Sequence, residues 1–243
     1  MTALWAHEAA ERFWADAGGA PEGLPRDLRD AITWALPIAV IELPGLRIRA
    51  VDAWLTAHAI EGGLSLPDRA LRACVLVHEG NGLLFVDGED GEDERRFSLA
   101  HEVAHYLVEY AHPRERARDR LGLGVVAALD GRRAPTREER IGALLAGVRL
   151  DVRLHLMERT PDGHPVGRDV STAERLADEL ALELLAPSDA VRARLTAGVT
   201  RSGVAGVLCA TFGLPPVPAR AYAGQLAPEP SGGSLFRRLF SAS

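Results

Sequence analysis

The sequence predicts an α+β fold, mostly helical, with a small β-sheet packed beside one central helix. Three observations carry that expectation. Two β-type runs, residues 73–77 and 83–86, flank a turn signal and read as a hairpin. A strongly helical stretch follows directly and contains His101-Glu102-Val103-Ala104-His105. A second helical pattern over 171–185 sets carboxylates on an otherwise apolar, small-residue surface.

The other elements fall in order around these. Residues 3–17 and 26–36 read as short helices, punctuated by Gly18-Gly19, Pro21 and Pro25. Residues 37–43 read as a strand closed by Pro44-Gly45, and 49–59 as another helix. Glu79-Gly80-Asn81-Gly82 supplies the hairpin turn. Acidic residues 89–94 lead into a helix over 92–111 that ends near Pro113, its first-turn carboxylates suiting the positive end of the helix dipole. Beyond it stand an arginine-rich helix candidate, a Gly-rich apolar piece over 121–129 and a helix near 136–147. Residues 148–156 alternate apolar and polar, the pattern of a half-buried strand. Pro187 stops the 171–185 helix, shorter helices fill 188–226, and 227–243 reads as a flexible tail ending in LFRRLF.

Composition bounds the chemistry. At 243 residues and 47% hydrophobic, the chain suits one sizeable soluble domain. No stretch is apolar for long enough to cross a bilayer, and the N-terminus lacks a basic region followed by an apolar run, so cytoplasmic residence is the expectation. Cys74 and Cys209 are too few for a thiolate metal site, and a cytoplasmic chain is not expected to join them. Any metal must then rest on histidines and carboxylates. A net charge of −6 argues against direct nucleic-acid binding through bulk electrostatics. All 28 basic residues are arginine, which excludes a Walker-A phosphate loop and Schiff-base catalysis.

The pentapeptide His101 to His105 carries the sharpest signal. Residues four apart share one helical face, so both imidazoles can reach one metal ion, and Glu102 can reach a water beside it. Phe97, Leu99, Ala100, Val103, Ala104, Tyr106, Leu107 and Val108 make the same helix apolar nearly all round, which places it in a core. Three polar groups in such a helix need partners, and a divalent cation satisfies them together. A third donor is still required. His112 lies about 10 Å further along the axis than His105, too far to close the same site, and position 111 is alanine where a metzincin would have histidine. Glu174 is the better candidate. It shares a face with Asp178, Ala181 and Leu185, whereas Arg175, Glu179 and Glu183 project onto a different, exposed face. Asp178, one turn on, can accept from the far nitrogen of a ligand histidine and fix its tautomer.

At these residues the chain resembles the ImmA/IrrE family of metallopeptidases, relatives of the thermolysin-like gluzincins. The matching blocks are RRFSLAHEVAHYLVE at 95–109, directly after a hairpin, and ERLADELALELLAP at 174–187. The family's second block typically reads E-x-x-A-N-x-F-A-x-x-L-L-M-P. Asp178, Leu180 and Ala186 stand where that pattern has Asn, an aromatic residue and Met. The resemblance covers roughly residues 36–226 and implies a zincin-like metallopeptidase fold, so the expected domain spans 1–226, with 114–170 as an insertion, 188–226 as C-terminal helices and 227–243 as a tail. It implies Zn2+ held by His101, His105 and Glu174, with Glu102 as general base.

The activity so implied is peptide-bond hydrolysis by a zinc endopeptidase, with Glu102 taking a proton from water and delivering it to the leaving amine. The substrate expected by analogy is a regulatory protein such as a helix-turn-helix repressor of stress-response or mobile-element genes, with no direct nucleic-acid contact and no membrane. A donor for the developing oxyanion is also expected, and Tyr106, Tyr110, His155, His164 and Tyr222 are available. His155, ending the alternating run, and Tyr106 stand foremost. The alternative is a zinc-stabilised binding or sensor module that holds a partner regulator without cutting it.

Overall fold

The computed structural model describes residues 4–60, 64, 66–145, 154–158, 168–196 and 198–226. The strand expected from 148 is therefore seen from 154 onward, and 148–153, His164 and the tail at 227–243 lie outside the described residues. The architecture is α+β and mostly helical. Helices α1 (Leu4–Asp16) and α2 (Arg29–Ala35) precede β1 (Ile38–Leu43), and α3 (Ile48–Ala57) precedes the hairpin of β2 (Leu71–His78) and β3 (Asn81–Asp87).

The hairpin closes on Glu79 and Gly80, both at positive φ (47° and 92°), the two-residue turn whose twist matches flanking strands. β1 joins β3 in parallel, with Val40 opposite Leu84. β4 (Leu154–Glu158) joins the other side of β2 antiparallel, giving the order β1-β3-β2-β4. Period-two alternation gives the sheet two apolar faces. Cys74 and Phe85 pack with Val51 and Leu55 of α3. Ala73, Val75, Leu84 and Val86 pack in the main core.

On that main-core face lies α4 (Glu92–His105), which carries the pentapeptide and packs on β2, β3 and β4. Its first turn holds Glu92, Asp93 and Glu94. From Arg96 through His105 every residue is buried, the expected consequence of an all-round apolar pattern.

The helix does not end near Pro113. It widens into a π-helical turn over Tyr106–Ala111 and continues as α5 (His112–Leu121). Proline lacks an N–H and crowds the carbonyl four residues back, and the wider turn just before it relieves that conflict without breaking the rod.

Among the described residues between α5 and α8 are a 3-10 turn at Leu123–Val125, α6 (Val126–Leu129), α7 (Arg137–Leu145) and β4. Asp130, 2% exposed, ties it down: Arg114 reaches Asp130 at 2.7 and 3.0 Å, and the Tyr110 hydroxyl donates to it at 2.7 Å. The stretch expected as an insertion thus contributes an edge strand to the sheet that supports α4.

Helix α8 (Arg168–Leu185) packs against α4, and α1 packs against α8. Short α9 (Ser188–Arg192) follows, then α10 (Arg201–Phe212) and α11 (Pro216–Leu226). Val204, Leu208, Phe212 and Tyr222 of these last two helices enter the same core as Val103 and Leu184. Among the described residues no helix is long and apolar enough to cross a membrane.

One expectation about α8 is overturned. Glu183, projected with Arg175 and Glu179 onto an exposed face, is completely buried. Helix α1 covers that face. Glu183 accepts from the Ser188 backbone N–H at 3.1 Å and the Tyr222 hydroxyl at 3.2 Å, and meets His7 Nδ1 at 3.0 Å. A buried carboxylate persists because each oxygen is satisfied. Glu179 receives the Trp5 indole N–H at 3.2 Å, so α1 holds α8 at two successive turns.

Candidate metal centre

The α4–α8 contact brings together His101, His105 and Glu174, each offering one ligand atom within 4.8 Å of the others. His101 and His105 sit one turn apart on α4, 3% and 2% exposed. Their Nε2 atoms are 3.0 Å apart. Glu174, near the start of α8, lies 3.3 Å from His101 Nε2 and 3.5 Å from His105 Nε2, using a different oxygen for each. The α4 side of the group is closed by core packing. Glu174 keeps 37% of its side chain exposed, so the group meets solvent along α8.

The two Nε2 atoms are close enough to share one proton or to face one cation. His101 is the more basic of the two. Burial pushes its imidazolium down, but hydrogen bonds to Asp178 and Glu174 outweigh that and bring its pKa up to about 10. Burial drives His105 the other way, to the neutral form. Burial opposes the charge on Glu174, yet hydrogen bonds from both histidines hold its carboxyl well below the usual range.

Asp178 stands where the helical projection put it. Its carboxylate is 3.0 Å from His101 Nδ1, and a carboxylate only accepts, so Nδ1 must carry a proton and Nε2 must face the group. The Asp178 side chain is 55% exposed.

Glu102 is completely buried, and neither carboxylate oxygen has a hydrogen-bond partner among the described residues. The Val75 backbone N–H exerts a lowering pull on it without reaching full hydrogen-bond geometry. Burial pushes its pKa up to about 8, against the opposing charge of His101.

The donor set fits a small divalent cation. Ligands arranged tetrahedrally at the ~2.05 Å typical of zinc stand about 3.3 Å from one another. The two Nε2 atoms are 3.0 Å apart and each has a Glu174 oxygen at 3.3 or 3.5 Å, a different oxygen for each, so the spacing is of the order a shared small cation needs. Two imidazoles with one carboxylate are also the donor types zinc takes with an open position for water. A buried carboxylate with no partner beside them is the kind of orphaned group that a cation and its water would satisfy.

The candidates for an oxyanion donor are dispersed. The Tyr106 hydroxyl points to the Gly80 carbonyl at 3.4 Å, Tyr110 bonds Asp130, and Tyr222 bonds Glu183 and the Ala186 carbonyl at 3.2 Å. The structure brings none of these three to the His101–His105–Glu174 group. Position 155 lies in β4 opposite Val75, in the strand beside α4. His112 lies outside the group and lines a cavity of about 330 Å3 with Arg12, Phe13, Tyr106, Tyr110 and Arg114.

Sequence reasoning missed Ser98. It is fully buried on α4, its hydroxyl has no partner, and it precedes Glu102 by one turn. That spacing was the one signal in the sequence able to find it. Against known proteins, the chain matches no family model and no curated protein sequence significantly.

Proposed function

We propose that this protein is a zinc-dependent endopeptidase, with His101, His105 and Glu174 as metal ligands and Glu102 as general base. The observation that carries the reading is the meeting of His101, His105 and Glu174, with one ligand atom of each within 4.8 Å of the others, beside the fully buried carboxylate of Glu102. When bound, zinc would supply Lewis acidity, polarising the scissile carbonyl and lowering the pKa of water. Glu102 takes a proton from the attacking water and returns it to the amine as the C–N bond breaks. Asp178 holds His101 in the tautomer whose Nε2 is free to ligate. The exposed side along α8 gives a polypeptide access to these groups.

The resemblance of 95–109 and 174–187 to ImmA/IrrE metallopeptidases narrows the substrate to a regulatory protein, such as a helix-turn-helix repressor, in a cytoplasmic setting. That step is analogy and stands apart from the site chemistry. The test incubates zinc-loaded protein and Glu102→Gln with repressors encoded beside its gene. The expected result is discrete fragments from the parent protein alone. Equal cleavage by both, or none with any repressor, removes the regulator-protease reading.

One observation favours a second reading, a zinc-stabilised binding or sensor module that holds a partner without cutting it. Glu102 is wholly buried, and burial pushes its pKa up to about 8, away from the ionised form a general base needs. A repressor retained by the zinc form but never cleaved would support that module.

A further inference from the structure

Ser98 and Glu102 are two buried polar side chains on successive turns of α4. Both are 0% exposed; the Ser98 hydroxyl has no hydrogen-bond partner among the described residues, and the Glu102 carboxylate has only the weak pull of the Val75 backbone N–H, short of full hydrogen-bond geometry. Residues four apart share a helical face, and helical side chains lean toward the N-terminus. That lean brings the Glu102 side chain toward the turn that bears Ser98, within reach of a rotamer change. A helical serine ordinarily relieves its hydroxyl by donating to the carbonyl four residues back, and Ser98 does not. The chemistry of the two orphans is complementary, since an ionised carboxylate accepts only and a hydroxyl donates.

We propose that Ser98 is a positioning residue for Glu102, its hydroxyl donating to one carboxylate oxygen after a rotamer adjustment or through one water. Glu102 carries three rotatable bonds in its side chain. Fixing one oxygen on the turn behind it leaves the other aimed toward the His101–His105 side, where the water must be deprotonated. The inference deepens the hydrolase reading and rests on it for its kinetic consequence. The proposed Ser98–Glu102 pairing is measurable without turnover.

The experiment uses the full chain with zinc bound. Ser98→Ala is expected to retain the parent's zinc content, keep its KM for a cleaved repressor and lose about tenfold in kcat. Ser98→Thr, which keeps the hydroxyl, restores the rate. A double-mutant cycle of melting temperatures supplies the readout independent of activity. Ser98→Ala should lower the midpoint by about 2–4 °C in the parent and leave it nearly unchanged in Glu102→Ala. Equal shifts in both backgrounds, or an unchanged kcat, overturn the proposal. Loss of zinc from Ser98→Ala also overturns it, because the role would then be structural. If even the parent cleaves nothing, the hydrolase reading fails, and the melting cycle alone decides the contact.

Discussion

Replacing Asp178 with alanine should weaken zinc binding without removing any ligand. In the structure Asp178 touches the centre through one contact, 3.0 Å from His101 Nδ1. Outer partners of this kind are worth about 10–100-fold in metal affinity, or roughly 1.4–2.7 kcal/mol. With its side chain 55% exposed, solvent screens the carboxylate, so the low end applies and a loss of about tenfold is expected. Asp178→Asn keeps an accepting oxygen but not the charge and should lose about threefold. Competition against a chromophoric zinc chelator at neutral pH reads both values. Arg175→Ala, on the adjacent exposed surface, is the control. The reasoning fails if Asp178→Ala binds zinc as tightly as the parent, or if Arg175→Ala weakens it equally.

Gly213 ends α10 with φ of 61°, and a Cβ there would run into the Arg96 guanidinium and lie 2.9 Å from the Pro25 Cβ. Gly213→Ala should therefore destabilise by at least about 1–2 kcal/mol, the cost of a left-handed non-glycine residue, read from urea unfolding. His7 gives a pH signature. Its hydrogen bond to Glu183 raises its pKa above the ordinary 6.5, aided by Glu11 and Asp189 and opposed by burial. A group raised on folding contributes stability that is complete below 6.5 and is lost as pH climbs through the folded value. In zinc-loaded protein, melting temperature should fall over that upward range, and His7→Gln should flatten the profile. An identical profile in the variant would exclude His7 as the source.

The elements nearest the chemistry were legible because their signals are local and periodic. A hairpin read from 73–86 and a four-residue histidine spacing need no knowledge of the partner elements. Glu174 and Asp178 were legible because carboxylates on an apolar helical face demand something positive opposite. Glu183 was misread because a projection ranks faces by composition, and a carboxylate looks exposed until α1 is known to cover it. The π-helical turn was illegible for another reason. Pro113 signals a stop, and only packing of Tyr106 and Leu107 into the core shows that the rod carries on. Asp130, in a Gly- and Arg-rich loop, gave no hint that it would bind Arg114 and Tyr110.

The edge strand β4 belongs to the same excursion of chain that Asp130 fastens, while every prospective ligand sits on α4 or α8. Substitutions between α5 and α8 can therefore reshape the border of the sheet while leaving in place all three side chains that could hold an ion.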